Sequence, residues 1–175
     1  MAILKVYKYP HPVLRAVCEP VVRFDSELRA LVADMVETMY QHPGAVGLAA
    51  PQVGVPLRLF IMDITAKTTQ SELKILINPH IVKQSRNKSV REGCLSFPDY
   101  LVNSKRATRL TVEAVNENGE PICYTVADLE AIAIQHELDH LEGVLMIDRI
   151  DSLKTDLIRR RGQPVDDAPG EVSVS

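Results

Sequence analysis

The chain has 175 residues, of which 46% are hydrophobic and 25% are charged, and its net charge is −3. A chain of this length can build one full hydrophobic core, so we predict a single domain over residues 1–160. It has no apolar run of the roughly 20 residues that a membrane span needs, and its N-terminus lacks an apolar signal core. The slightly acidic balance argues against DNA or membrane-surface binding. Three cysteines that cannot all pair favour a reducing, cytoplasmic location.

The first half of the chain predicts one helix followed by several strands. Apolar side chains recur at helical spacing between Asp25 and Gln41, and Asp25 or Ser26 can cap the start of this helix. Pro43-Gly44 ends it. The pattern downstream predicts a loop rich in Gly and Ala at residues 44–54. Three strands follow at residues 57–64, 75–77 and 81–82, and Asn78-Pro79 separates the last two.

The second half predicts a hairpin and two helices. Residues 110–115 and 122–126 form the hairpin, and Asn118-Gly119 supplies the positive φ angles of its turn. The following helix runs from about Asp128 to Glu142, and Gly143 caps its end. A short third helix starts near Ser152 and carries Arg159, Arg160 and Arg161. The order helix, strands, helix is typical of an α+β fold. Residues 161–175 have almost nothing to bury and predict a disordered tail.

The second long helix contains the first chemical signal, the segment Gln135-His136-Glu137-Leu138-Asp139-His140. Histidines four residues apart lie on one helix face, roughly 6 Å apart at Cβ, and can bind one metal ion. Glu137 can then act as a general base on water. The alternative is a set of exposed polar residues. However, Leu129, Ile132 and Ala133 share the face of the histidines, which predicts that this face is buried.

Two further segments can complete such a site. A third ligand is needed, and Cys94 is the best candidate, because a glycine precedes it and Pro98 stiffens the exit from its segment. We interpret Cys18 and Cys123 as buried, inert thiols, and we interpret the remaining histidines, His11, His42 and His80, as ordinary ones. The loop from Gly44 to Gly54 permits close approach of a ligand, or it is only a tight connection between a helix and a strand.

Three segments together resemble the signature motifs of the peptide deformylases. They are Val46-Gly47-Leu48-Ala49-Ala50-Pro51-Gln52, Glu92-Gly93-Cys94-Leu95-Ser96 and Gln135-His136-Glu137-Leu138-Asp139-His140, in the order and spacing of that family. The resemblance covers residues 3–160. It implies an α+β fold with mixed or antiparallel strands packed around a central metal-binding helix, and a C-terminal helix. It also implies removal of the formyl group from the N-terminal formyl-methionine of new polypeptides, with release of formate.

The resemblance also implies roles for individual residues. Cys94, His136 and His140 would hold one divalent metal ion, which is Fe²⁺ in most members of the family and can be replaced by Zn²⁺, Ni²⁺ or Co²⁺. Glu137 would move the proton, and the Gln52 amide and the Leu95 N–H would donate to the oxyanion. Glu92 and Arg106 would pair beside the Cys94 strand. A slot for the methionine side chain would be lined, beside the His136 ring, by Val46, Gly47, Val90, Leu129, Ile132 and Ala133.

One departure and two alternatives accompany this resemblance. Ala45 stands where the family usually has glycine, and we expect retained activity with a shifted substrate preference. A different metallohydrolase, such as a peptidase, would need a third His or an acidic ligand instead of Cys94. A metal-stabilised protein could instead dock on the ribosome without catalysis, with Lys154 and Arg159-Arg160-Arg161 contacting RNA. A weak ribosome contact through this basic helix is also compatible with the enzyme.

Overall fold

The computed structural model describes residues 2–65 and 71–160, so the predicted disordered tail at 161–175 lies outside the described residues. The described part contains three α-helices and eight strands, connected in places by single 3-10 turns. The helices are α1 (Ser26–Gln41), α2 (Asp128–Leu141) and α3 (Leu153–Asp156). The strands are β1 (Gly47–Ala49), β2 (Leu59–Met62), β3 (Lys74–Gln84), β4 (Asn87–Cys94), β5 (Phe97–Ala107), β6 (Arg109–Val115), β7 (Pro121–Ala127) and β8 (Leu157–Arg159).

Helix α1 confirms the first sequence prediction almost to the residue. The Asp25 carboxylate caps it by accepting hydrogen bonds from the Glu27 and Leu28 N–H groups, both at 3.1 Å. Its buried stripe includes Leu28, Val32, Met35 and Met39. These side chains share one hydrophobic core with residues of β2 and β3, so α1 covers one face of the sheet that contains those strands.

A five-stranded sheet with the order β1-β2-β3-β6-β7 forms the larger part of the fold, and all its pairings are antiparallel. Strand β2 is buried along its whole length. Leu59 and Ile61 join the core under α1, whereas Phe60 and Met62 join a second core, which also contains residues of α2. The sheet therefore carries one helix on each face, which is why β2 reads as a continuous apolar run.

The two predicted strands around Asn78-Pro79 are one strand, so the predicted break is wrong. Strand β3 continues through this dipeptide, and its pairing with β6 shifts register there, between Ile77 and His80, and again between Ile81 and Lys83. Asn78 has φ +50° and exchanges two side-chain hydrogen bonds with the Val21 backbone, at 2.9 and 2.8 Å. A β-bulge therefore accommodates the proline, and the strand does not end there. The β6–β7 hairpin is confirmed, although only Gly119 of its turn has positive φ.

A three-stranded antiparallel sheet with the order β4-β5-β8 forms the other wall of the molecule. The sequence analysis expected Cys94 on a strand but gave no bounds for β4 and did not predict β5. Strand β4 is mostly exposed and rich in polar residues, with Glu92 and Cys94 buried at its end, so its apolar alternation is too weak to be recognised. It is also an edge strand, because only β5 pairs with it.

Helix α2 lies between the two sheets, as the predicted central helix should. It contacts β1, β2, β6 and β7 of the larger sheet and β5 of the smaller one. Ala131, Ile134 and Leu141 are fully buried along it. The Gln135 amide ties the helix to the end of β5 by accepting from the Ala107 N–H at 3.0 Å and donating to the Ala107 carbonyl at 2.7 Å.

The predicted basic C-terminal helix is wrong in its second half. Helix α3 begins after its Ser152 cap, as expected, but it ends at Asp156. Residues Leu157–Arg159 then form β8, which pairs with β5, because Leu157 packs against the core of the smaller sheet. Arg159 is therefore in a strand, Arg160 follows it, and Arg161 lies outside the described residues. In the described ranges no helix has the length and apolar character needed to cross a membrane.

Candidate metal centre

Three buried side chains from distant parts of the chain converge at the centre of the molecule. Cys94 comes from the end of β4, where the chain turns into β5, whereas His136 and His140 lie one turn apart on α2. One ligand atom from each lies within 4.8 Å of the other two. The two imidazole rings are 5.0 Å apart at their centroids and nearly perpendicular. The predicted set of ligands is thus assembled in space.

The donor set and its spacing fit one divalent metal ion. The Cys94 Sγ and the His140 Nε2 are 3.3 Å apart. Tetrahedral ligands with metal–sulfur and metal–nitrogen bonds of about 2.3 and 2.05 Å would be separated by about 3.6 Å, so the observed distance suits a shared ion. Thiolate and imidazole donors are those that Zn²⁺ and Fe²⁺ accept. With three protein ligands, such a site keeps one position for water or substrate.

The two histidines have different electrostatic surroundings. Burial, together with His136 and Arg106 nearby, holds the pKa of His140 well below its ordinary value, so its imidazole is neutral, as a metal ligand must be. At His136, burial is outweighed by the neighbouring Cys94 and Glu92, which raise its pKa well above the ordinary value. A metal ion at this position must therefore displace a proton.

A buried carboxylate orients His136. Glu92 Oε2 lies 2.8 Å from the His136 Nδ1. The other ring nitrogen, Nε2, is therefore the atom that can bind a metal ion. Glu92 also accepts a bidentate pair of hydrogen bonds from Arg106, at 2.7 and 3.1 Å, and one from Ser104. Burial disfavours ionisation of Glu92, but the bonds from His136 and Arg106 outweigh it and hold the pKa well below the ordinary value. The predicted Glu92–Arg106 pair is confirmed.

The same network reaches the protein surface through Asp139. Arg106 Nη1 donates to Asp139 Oδ2 at 2.6 Å, and Arg149 donates to both oxygens of Asp139 at 2.9 and 2.6 Å. Asp139 lies within the α2 motif, but nothing in the sequence indicated that arginines from β5 and from the turn after α2 would converge on it. These contacts fix the orientation of α2 beside β4.

Glu137 is buried next to His136, and its carboxylate faces the glycine at position 47. A Cβ at Gly47 would overlap this carboxylate, so a larger residue here must displace the end of the Glu137 side chain. Burial raises the pKa of Glu137 to about 7. Among the residues that the structure describes, Glu137 Oε2 and His140 Nδ1 are the buried side-chain polar atoms without a hydrogen-bond partner. The free carboxylate oxygen can therefore accept a proton or a hydrogen bond from a bound molecule.

Gln52 places its amide beside the cysteine. Its Oε1 accepts a hydrogen bond from the Ala49 N–H at 2.9 Å, which fixes the orientation of the amide. Its Nε2 lies 3.5 Å from the Cys94 Sγ and 3.2 Å from the Ser96 Oγ. The predicted loop at 44–54 is thus a short strand, β1, followed by a 3-10 turn that carries Gln52. Leu95 directly follows Cys94 and lines the cavity described next.

A cavity of about 420 Å³ opens beside these residues. Its lining includes Val46, Gly47, Leu129, Ile132, Ala133 and the His136 ring, all expected from the resemblance, together with Ala45. Leu129 is half-exposed at the mouth. Val90 is half-buried in β4, two residues before Glu92 and on the same face of the strand, and its place in the slot stays a prediction.

The sequence analysis missed several residues of this region. Arg91 and Arg160 both line the cavity, and Ser96 and Ser104 hydrogen-bond to its polar groups. Single serines and arginines carry no recognisable pattern, so only the pairing of β4, β5 and β8 reveals them. The expectation for Cys123 is also wrong, because this thiol is exposed on the solvent face of the edge strand β7, whereas Cys18 is buried as expected.

Comparison with known proteins identifies relatives over most of the chain. The sequence model of the family described as polypeptide deformylase matches residues 3–156. The chain is 47% identical over 161 residues to a peptide deformylase of Acidobacterium capsulatum, covering 92% of this chain and 94% of that one. The crystal structure of a peptide deformylase from Legionella pneumophila superposes with a TM-score of 0.82 at 40% identity, covering 87% and 89% of the two chains. The crystal structure of a peptide deformylase from Thermotoga maritima superposes with a TM-score of 0.80 at 39% identity, covering 87% of this chain and 100% of that one.

Proposed function

The chain belongs to the peptide deformylase family, which removes the N-formyl group from nascent polypeptides, and we propose that Cys94, His136, His140 and Glu137 carry this reaction. The substrate is a formyl-methionyl polypeptide, and the products are formate and a free amino terminus. The observation that supports this proposal is the convergence of three metal-ligating side chains beside a buried carboxylate in one cavity. We propose residues 1–160 as a single catalytic domain that works in the cytoplasm.

The metal proposed for the site is Fe²⁺, held by Cys94, His136 and His140, with Zn²⁺, Ni²⁺ and Co²⁺ as possible replacements. When bound, the ion supplies Lewis acidity, which lowers the pKa of water and polarises a carbonyl oxygen. These ligands bind Zn²⁺ more tightly than Fe²⁺ according to the Irving–Williams order. The ion found in purified protein therefore depends on metal availability, and metal analysis of protein prepared without oxygen is the measurement that identifies the native ion.

Glu137 acts as the general acid and base. Its carboxylate accepts the proton of the attacking water and then delivers a proton to the leaving amine, so the formyl C–N bond breaks without releasing a free amide anion. Two features support this role: the Glu137 Oε2 has no partner among the described residues, and glycine at position 47 leaves room for the carboxylate.

Gln52 and Leu95 stabilise the negative charge that develops on the formyl oxygen. The bond between the Gln52 Oε1 and the Ala49 N–H fixes the orientation of the amide, and its Nε2 donates to the oxyanion by exchanging its 3.5 Å contact with the Cys94 Sγ. The Leu95 backbone N–H is the second donor. Removing one such donor costs about 10²- to 10³-fold in rate in other hydrolases.

The peptide enters between two strand edges. Strands β1 and β4 are each at the edge of a sheet, and residues of both line the cavity, so both can offer backbone groups to an extended chain. The methionine side chain then lies against the apolar wall formed by Val46, Leu129, Ile132 and Ala133. A formyl group is small enough to reach the buried end of the cavity beside Glu137.

The test is formate release from formyl-Met-Ala-Ser by anaerobically prepared protein, compared with Glu137→Ala. We expect the variant to lose at least about 10³-fold in kcat while keeping one metal ion per chain, because Glu137 is not a ligand. Equal formate release by both proteins would exclude catalysis at this site. If Cys94→Ala kept its metal and cleaved internal peptide bonds, the site would instead be that of a peptidase.

A further inference from the structure

Two guanidinium groups lie at the rim of the cavity, and the mechanism above does not use them. Arg91 and Arg160 both line the cavity, and both are exposed. Arg160 follows β8 and is anchored by its backbone N–H, which donates to the Asp99 carbonyl at 2.8 Å. Its guanidinium covers Gly93 so closely that a Cβ at this position would overlap it. The pairing of β8 with β5 therefore carries a C-terminal cation to the strand that holds Cys94.

Among the described residues these two cations have no carboxylate partner, unlike the arginines of the network around Glu92. Arg106 and Arg149 form salt bridges with Glu92 and Asp139. Within residues 2–65 and 71–160, no carboxylate lies within 4.0 Å of the guanidinium of Arg91 or Arg160. Arg91 has one side-chain contact, from its Nε to the Asn103 Oδ1 at 3.3 Å.

The acidic residues that line the cavity do not neutralise this rim. Glu92 is already bonded to Arg106, Ser104 and His136, and Glu137 is buried at the reacting end. A peptide with its formyl group beside Glu137 must lead its later residues out past the rim. Because an extended chain advances about 3.3 Å per residue, the first residues after methionine come within reach of arginine side chains.

We propose that Arg91 and Arg160 make the enzyme prefer formyl-methionyl peptides that carry an aspartate or glutamate directly after the methionine or one residue later. This inference rests on the proposed function, since it assigns a substrate preference to the same site. Guanidinium groups bind carboxylates by paired hydrogen bonds, and at an exposed rim each such pair contributes modestly and is weakened by salt. The preference is therefore a graded one, and neutral peptides remain substrates.

The experiment compares formate release from formyl-Met-Asp-Ala amide and formyl-Met-Ala-Asp amide with that from their Asn counterparts. For the wild type we expect about fivefold higher kcat/KM for at least one Asp peptide at low ionic strength, mainly through KM, and a smaller ratio in high salt. The double variant Arg91→Gln with Arg160→Gln should bring the ratio close to one. The variant Arg160→Glu should favour formyl-Met-Ala-Lys amide over its Asn counterpart.

Lys88→Gln is the matched control, because it removes one exposed positive charge from the same strand, and Lys88 does not line the cavity. It should keep the wild-type ratio, and an equal fall of the ratio in this control would overturn the proposal. A wild-type ratio near one for both positions would also overturn it, with the deformylase function intact. The proposal is also overturned if formyl-Met-Ala-Asn with a free terminal carboxylate is hydrolysed faster than its amide while the Asp side chains have no effect. Absence of formate release from all peptides would overturn the proposed function, and this inference with it.

Discussion

At the residue scale, the site depends on a glycine that makes room for a carboxylate. Gly47 belongs to a motif whose small residues the sequence analysis assigned to ligand approach. In the structure Gly47 lines the cavity, and its missing side chain also makes space for Glu137, which reaches it from α2. The position of the proposed general base is thus decided by a residue 90 positions earlier in the chain.

Gly47→Ala tests this arrangement. The added methyl group must displace the Glu137 carboxylate, and a displacement of about 1 Å can cost about 10²-fold in rate, so we expect a comparable fall in kcat. Metal content should stay at the wild-type level, because the atoms nearest the added Cβ belong to Glu137 and not to a ligand. In a Glu137→Gln background the same change should cause little further loss, since both act through one carboxylate. Full wild-type kcat in Gly47→Ala would contradict this explanation.

At the element scale, most helices and strands follow from local patterns, and the failures have physical causes. The α1 and α2 stripes and the β6–β7 hairpin were predictable because apolar spacing, caps and turn residues act over a few residues. Strand β4 was not, because its polar exposed face hides the alternation. Residues Leu157–Arg159 were expected in a helix but are a strand, because pairing with β5 overrides their local preference.

Asp63 joins α1 to the segment that follows β2. This fully buried carboxylate accepts hydrogen bonds from the Tyr40 and Ser71 hydroxyls, each at 2.8 Å, and from the Thr65 N–H and hydroxyl at 2.8 and 2.7 Å. Burial alone would raise its pKa, but the bonds from Thr65, Tyr40 and Ser71 outweigh this effect and lower the pKa to about 2. The folded state therefore stabilises the ionised form.

Asp63→Asn should lower the free energy of unfolding by about 2 kcal/mol at neutral pH. Because the pKa is lower in the folded state, the contribution of the carboxylate is fully present above its ordinary pKa of about 4 and is lost as pH falls toward about 2. Urea unfolding of both proteins between pH 3 and 7 measures this. A difference in stability that does not shrink between pH 5 and pH 3 would show that ionisation of Asp63 is not the cause.

At the scale of the whole molecule, the metal ligands join its two layers. Cys94 belongs to the smaller sheet, and the two histidines belong to the helix that also packs on the larger sheet. An ion bound by all three therefore links α2 to β4, and it stabilises the folded state because the unfolded chain does not hold the ligands together. Stability and metal binding are coupled through this link.

Removal of the metal by a chelator should lower the melting temperature by about 10 °C. An ion at a free concentration 1,000-fold above its Kd adds about 4 kcal/mol, and 1 kcal/mol corresponds to about 2–4 °C for a chain of this size. Thermal unfolding followed by circular dichroism, with and without chelator, measures the difference. In Cys94→Ala the chelator should have a much smaller effect. An equal shift in this variant would mean that the stabilising ion binds elsewhere.

The sequence by itself determined which residues could do the chemistry. The three motifs identified the family. The spacing of His136 and His140 and the adjacent Glu137 predicted two ligands and the base, because four residues on a helix always amount to about one turn. Tertiary structure alone decided the contact of Gly47 with Glu137, the Arg106–Asp139–Arg149 contacts and the position of Arg160. These depend on which strands pair and in which register, and strand pairing joins residues whose separation along the chain carries no local pattern.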